Sequence, residues 1–105
     1  MDYKAVIIDD ETWTRTVIKS LGEWEKYGIK IVGEASDGDY GLELIRQMSP
    51  DIILTDVCMP HLNGLELIER LRNENNGAQV IFISGYDDYS YIRSALKLDA
   101  IDYLL

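Results

Sequence analysis

The sequence predicts an α/β domain built on a parallel sheet, and two observations carry that prediction. Short apolar runs of strand length alternate with segments whose apolar residues recur at helical spacing, the pattern of successive βαβ units. One of the runs, Ile52-Ile53-Leu54, is too short for a helix and is bounded by Pro50 and Pro60, which suits a strand inside a covered sheet.

Taken in order, Ala5 to Ile8 form the first strand, which ends in Asp9-Asp10. A helix follows from about Thr12, with Trp13, Val17, Leu21 and Trp24 at roughly helical spacing and Gly28 marking its end. Trp13 and Trp24 are expected in core and helix-end packing, and Glu23, Glu25 and Lys26 on a solvated face. The second strand, Ile31 to Ala35, is interrupted by Gly33 and stops at Asp37-Gly38. Its helix carries Gly41, Leu44, Ile45 and Met48 on one stripe, and Ser49-Pro50 terminates it.

Beyond the strand that ends at Asp56, Asn63-Gly64 opens a third helix that turns Leu67, Ile68 and Leu71 inward, and Asn73-Glu74-Asn75-Asn76-Gly77 stops it. Val80 to Ile83 form the fourth strand, ending at Ser84-Gly85. Asp87 or Asp88 caps a fourth helix whose Ile92, Ala95 and Leu96 face the core. Ile101 to Leu105 are the last strand. Five strands and four helices are expected, and a fifth helix would be needed to cover the second face of the sheet.

Composition bounds the function. A chain of 105 residues, 47% apolar and 28% charged, makes one small globular domain. A net charge of −9 argues against binding nucleic acid or an anionic membrane through this segment, because both require a basic patch. The single cysteine, Cys58, excludes an internal disulfide and fits a reducing compartment. The segment Met1 to Val6 lacks the apolar core of a signal peptide, and no stretch has the length of a membrane span. A cytoplasmic domain is the expectation.

The chemistry emerges when strand ends are added together. In a parallel sheet Asp9, Asp10, Asp56 and Ser84 converge on one rim, where strand ends and helix starts leave backbone groups open for ligands. Gathered carboxylates repel one another unless a cation sits among them. Mg2+ suits the count, since one or two carboxylates, waters and phosphate oxygens usually hold it. Asp56 would then attack a phosphoryl group as a carboxylate nucleophile, with Ser84 donating to the transferred oxygens. Taken alone, Asp56 could equally cap a turn, and the Asp9-Asp10 pair a helix.

The set Asp9-Asp10, Asp56, Met59-Pro60, Gly64, Ser84 and the ending Ala100-Ile101-Asp102-Tyr103-Leu104-Leu105 resembles the receiver domain of bacterial response regulators, in order and spacing and over nearly the whole chain. The resemblance implies a flavodoxin-like, doubly wound fold of strand order 2-1-3-4-5. It implies that Asp56 accepts a phosphoryl group from a sensor histidine kinase in a Mg2+-dependent reaction. Asp10 corresponds to the direct metal ligand, Asp9 to its partner acting through water, and Cys58 to the residue lending a backbone carbonyl. Ser84 and Tyr103 match the hydroxyl and aromatic positions that move together on activation. No enzyme is implied beyond slow self-catalysed phosphorylation and dephosphorylation. Trp24-Glu25-Lys26-Tyr27-Gly28, with Gly85-Tyr86 and Tyr89, is similar to receivers whose separate output is an AraC-type DNA-binding module.

Two departures shape further expectations. The family places a lysine directly after the aromatic-Leu-Leu strand end, opposite the acceptor aspartate, and here that position follows Leu105; Lys97 is the nearest alternative. Asp99 stands where the family usually has a helix-ending glycine. The expectation is a receiver spanning residues 1–105 and cut short before its final helix. It would cover the exposed surface by self-association, and bind Mg2+ with poor phosphorylation. Tyr86, Tyr89, Tyr91, Leu98 and Tyr103 outnumber what one helix face can bury and suggest a partner surface. His61 is read as a solvated loop residue. Two other classes compete: a degenerate receiver acting as a phosphorylation-independent interaction module, and a haloacid-dehalogenase-type phosphatase. The latter needs an Asp two residues after the nucleophile, where Cys58 stands.

Overall fold

The computed structural model describes residues 2–21, 23–57, 59, 62–83 and the strand at 102–104. In chain order these form β1 (Tyr3–Ile8), α1 (Thr12–Leu21), a single 3-10 turn (Trp24–Tyr27), β2 (Ile29–Ala35), α2 (Gly38–Met48), β3 (Ile52–Asp56), α3 (Gly64–Asn73), β4 (Gln79–Ile83) and β5 (Asp102–Leu104). The helix expected between Asp87 and Leu98, with Ser84, Tyr86, Tyr89, Tyr91, Lys97 and Asp99, lies outside the described residues, as do Cys58 and His61.

All the strands pair in parallel, in the order β2-β1-β3-β4-β5. The doubly wound topology follows, with β3 central and flanked by β1 and β4. Alternation along these strands buries both faces. Val6, Ile8, Ile53, Val80 and Phe82 point toward the core under α2 and α3, while Ala5, Ile7 and Leu54 point the other way and are also buried. On that second face Ile81 and Ile83 of β4, and Val17 and Ile18 of α1, are half-buried.

Local chemistry sets the element ends. The Asp37 side chain caps α2 by accepting from the Tyr40 amide at 2.8 Å, and Ser49, at φ 47°, closes it. Asn63 and Glu66 form a reciprocal capping box at the start of α3, with Asn63 Oδ1 accepting from the Glu66 amide at 2.9 Å and Glu66 Oε1 from the Asn63 amide at 3.2 Å. α2 lies close on β1 because Gly41 has no side chain: a β-carbon there would be 2.8 Å from Ile8 Cδ1. At the opposite edge of the sheet from the strand ends, Lys4 and Asp51 clasp each other. The Lys4 amide donates to Asp51 Oδ2, and the Asp51 amide to the Lys4 carbonyl, both at 2.8 Å.

Three sequence expectations are corrected. β1 and β2 start at Tyr3 and Ile29, earlier than the apolar runs, because the Tyr3 amide donates to the Gly28 carbonyl at 2.7 Å and Tyr3 pairs with Ile29. The first helix does not run to Gly28. It ends at Leu21, and Trp24 belongs to the separate turn, since Glu23 adopts a left-handed φ of 42° that no α-helix continues through. Trp24 does pack at the helix end, where its indole N–H donates to the Ile18 carbonyl at 2.9 Å. Trp13 is not core: it is 75% exposed, because the inward side of α1 runs through Thr14, Val17 and Ile18.

Candidate functional site

The carboxyl ends of β1 and β3 are adjacent, so the residues that leave them meet. Asp9 and Asp10 follow β1 directly, and Asp56 is the last residue of β3. One carboxylate oxygen from each lies within 4.8 Å of the others, a spacing that a single small cation spans. Burial is graded across the group: Asp9 is 5% exposed, Asp56 half-buried and Asp10 exposed.

Asp9 is held at its amide, its carbonyl and one carboxylate oxygen. Its amide donates to the Ala35 carbonyl of β2 at 3.0 Å, its Oδ1 accepts from the Glu11 amide at 2.9 Å, and its carbonyl accepts from Arg15 Nη1 at 2.5 Å. Burial pushes the Asp9 carboxyl above its ordinary range, the Glu11 amide opposes the shift, the charges of Asp10 and Glu11 add to it, and Arg15 pulls it back. A charged carboxylate that is desolvated beside like charges gains most from a hard cation with oxygen ligands. That donor set, oxygen only, is the one Mg2+ prefers.

Asp56 is set by its neighbours along the chain. Thr55, itself buried, turns its hydroxyl to donate to the Asp56 carbonyl at 3.0 Å. Val57 is fully buried, and its carbonyl accepts from the Gly64 amide at 2.8 Å, which folds the loop back so that α3 starts under the strand end.

The sequence-predicted residues divide accordingly. Asp9, Asp10 and Asp56 are brought together. β4 ends at Ile83, which pairs with Asp56; Ser84 lies outside the described residues. Tyr103 pairs with Phe82 through the backbone of β5, its side chain likewise undescribed.

Arg15 escaped the sequence reading. It is anchored by Glu34 Oε1 at 2.9 Å and donates also to Thr12 Oγ1 at 3.2 Å, while Lys19 reaches Glu34 Oε2 at 2.5 Å. A readable signal exists: a cation in the first turns of a helix, against the macrodipole and with no acidic residue in the first turn, needs a local reason.

With this geometry in place, comparison with known proteins is direct. The family model for the response regulator receiver domain matches residues 5–105. A response regulatory protein of Staphylococcus epidermidis is 37% identical over 103 residues, covering 98% of this chain and 40% of the relative. The transcriptional regulatory protein HptR of Staphylococcus aureus is 35% identical over the same span, again covering 98% of the chain and 40% of the relative. The chain therefore spans well under half the length of these relatives. Among solved structures, the receiver domain of AraT, a response regulator from Geobacillus stearothermophilus, is similar with a TM-score of 0.92 and 36% identity. The match covers 100% of this chain and 81% of that one.

Proposed function

The chain belongs to the response regulator receiver domain family, and on that premise we propose that Asp56 is its phosphoacceptor, with Asp9, Asp10 and Asp56 as the carboxylates that hold Mg2+. The observation that carries the proposal is the convergence of the three oxygens at the ends of β1 and β3.

In the transfer, an Asp56 oxygen attacks the phosphorus of a kinase phosphohistidine. A P–O bond forms to Asp56, the P–N bond breaks, and its electron pair leaves with the imidazole. Bound Mg2+ supplies neutralisation of the phosphoryl oxygens. The chain's own residues do the positioning: the buried Asp9, held at its amide, carbonyl and Oδ1, sets one side of the site, and on the other the Thr55 hydroxyl holds the Asp56 carbonyl while Gly64 holds that of Val57. Ser84 donates to the transferred phosphoryl group, the Cys58 carbonyl completes the ligand set, and Tyr103 is the aromatic that follows Ser84. The domain is a switch rather than a turnover enzyme, because the acceptor is part of the protein and hydrolysis only resets it.

The signalling partner is a sensor histidine kinase, and the output is an AraC-type DNA-binding module in the longer protein, with self-association as a second mode of interaction. A net charge of −9 keeps this domain off DNA and off anionic membranes. Among the described residues no helix is long and apolar enough to cross a membrane; the cytoplasmic setting is the reading that goes with the receiver family.

Intact-mass measurement after acetyl phosphate treatment tests the reading. The expected result is slow gain of a single phosphoryl group that requires Mg2+ and disappears in Asp56→Asn. Equal labelling of Asp56→Asn overturns the assignment. Amide chemical shifts unmoved by beryllofluoride with Mg2+ would instead select a phosphorylation-independent interaction module.

A further inference from the structure

We propose that Arg15 is a positioning residue for the metal site, acting on Asp10 through the backbone carbonyl of Asp9; the inference rests on the Mg2+ reading of Asp9, Asp10 and Asp56. The Asp9 carbonyl and the Asp10 amide belong to one planar peptide unit, so fixing the first fixes the direction in which the chain enters Asp10. Arg15 fixes it with a 2.5 Å charge-assisted hydrogen bond from Nη1. The guanidinium is in turn immobilised, its side chain only 11% exposed, with Nε on Glu34 and Nη2 on Thr12 Oγ1. Glu34 belongs to β2, next to Ala35, whose carbonyl holds the Asp9 amide. The two peptide groups flanking Asp9 are thus both referenced to β2, one directly and one through Arg15.

Asp10 depends on this clamp more than its neighbours do. It is exposed and lies two residues beyond Ile8, the last paired residue of β1, whereas Asp9 has its own bonds and Asp56 remains in β3. A planar fork that serves three acceptors at once is not reproduced by an ammonium group, so Lys at position 15 restores the charge but not the geometry.

The test compares Mg2+ affinity, read from tryptophan fluorescence, with unfolding in chelator and with the Asp10 amide resonance before metal is added. Arg15→Gln is expected to weaken Mg2+ binding by about tenfold, as loss of an orienting partner behind a ligand does, and to shift or broaden the Asp10 amide. Arg15→Lys is expected to recover part of the affinity. Lys19→Gln removes an ion pair to the same Glu34 but leaves the Asp9 carbonyl clamped, so its affinity should equal that of the unmutated chain. Arg15→Gln with unchanged affinity overturns the inference, and so does Lys19→Gln with an equal loss. If the unmutated chain itself shows no saturable Mg2+ response, or Asp10→Asn responds equally, the site reading fails and takes this inference with it.

Discussion

Gly64 and Asp56 touch through their backbones: a β-carbon on Gly64 would stand 1.9 Å from the Asp56 carbonyl oxygen. The start of α3 is therefore seated directly beneath the residue that ends β3, and the seat admits no side chain. Gly64→Ala must push α3 or Asp56 aside, and the expected cost is about 1–3 kcal/mol, with weakened Mg2+ binding as well. Urea denaturation and a Mg2+ titration of the same variant check both effects. Unaltered stability would mean that the helix start yields freely.

Asn63, one residue earlier, makes a separable contribution. Asn63→Ala deletes the side-chain half of the capping box without touching the contact under Asp56, and should cost about 1 kcal/mol. The Mg2+ affinity should move little, which distinguishes anchoring of the helix from placement of Asp56.

Mg2+ should stabilise the fold by mass action, by about 2.7 kcal/mol at a concentration one hundred times its dissociation constant. Thermal unfolding with and without the ion measures this. Asp10→Asn and Asp56→Asn should each erase most of the gain, because each removes one of the converging carboxylates.

Asp9 and Glu34 should give pH dependences of opposite sign. The Asp9 carboxyl is raised in the folded chain, chiefly by burial, so its contribution to stability is present at low pH and is lost as pH rises through the raised value. In chelator at neutral pH, Asp9→Asn should therefore stabilise the fold, since Asn retains an oxygen for the Glu11 amide. Glu34 is lowered, by its hydrogen bonds from Lys19 and then Arg15, so its contribution is present at neutral pH and is lost as pH falls through the lowered value. Glu34→Gln should destabilise at neutral pH, and the difference should vanish in acid. Paired denaturation curves across pH check both signs.

Much of the fold was legible because its strands and helices differ in period. Ile52–Leu54 could be placed without any partner in view, and so could the acidic residues following the strands. What composition and spacing could not supply was adjacency. That β1 lies between β2 and β3 came from the family resemblance, and only that order brings Asp9 and Asp10 beside Asp56. Errors fell where tertiary or single-residue backbone effects override pattern. Trp13 matched the helical period yet lies outside the inward side, and the left-handed Glu23 breaks a spacing that otherwise continues to Trp24. Arg15 is anchored by Glu34, a residue of β2 nineteen positions away, so the local sequence could not reveal that partner.

The register between β1 and β2 slips between Ala5, which pairs with Ile31, and Val6, which pairs with Gly33, leaving Val32 as an extra residue in the outer strand. Such a bulge bends and twists the outermost strand, and the exposed Lys30 places a charge beside it. A straight strand from another molecule cannot match that irregular row of amides and carbonyls along its length. At β2 the fold thus carries its own guard against runaway edge-to-edge aggregation.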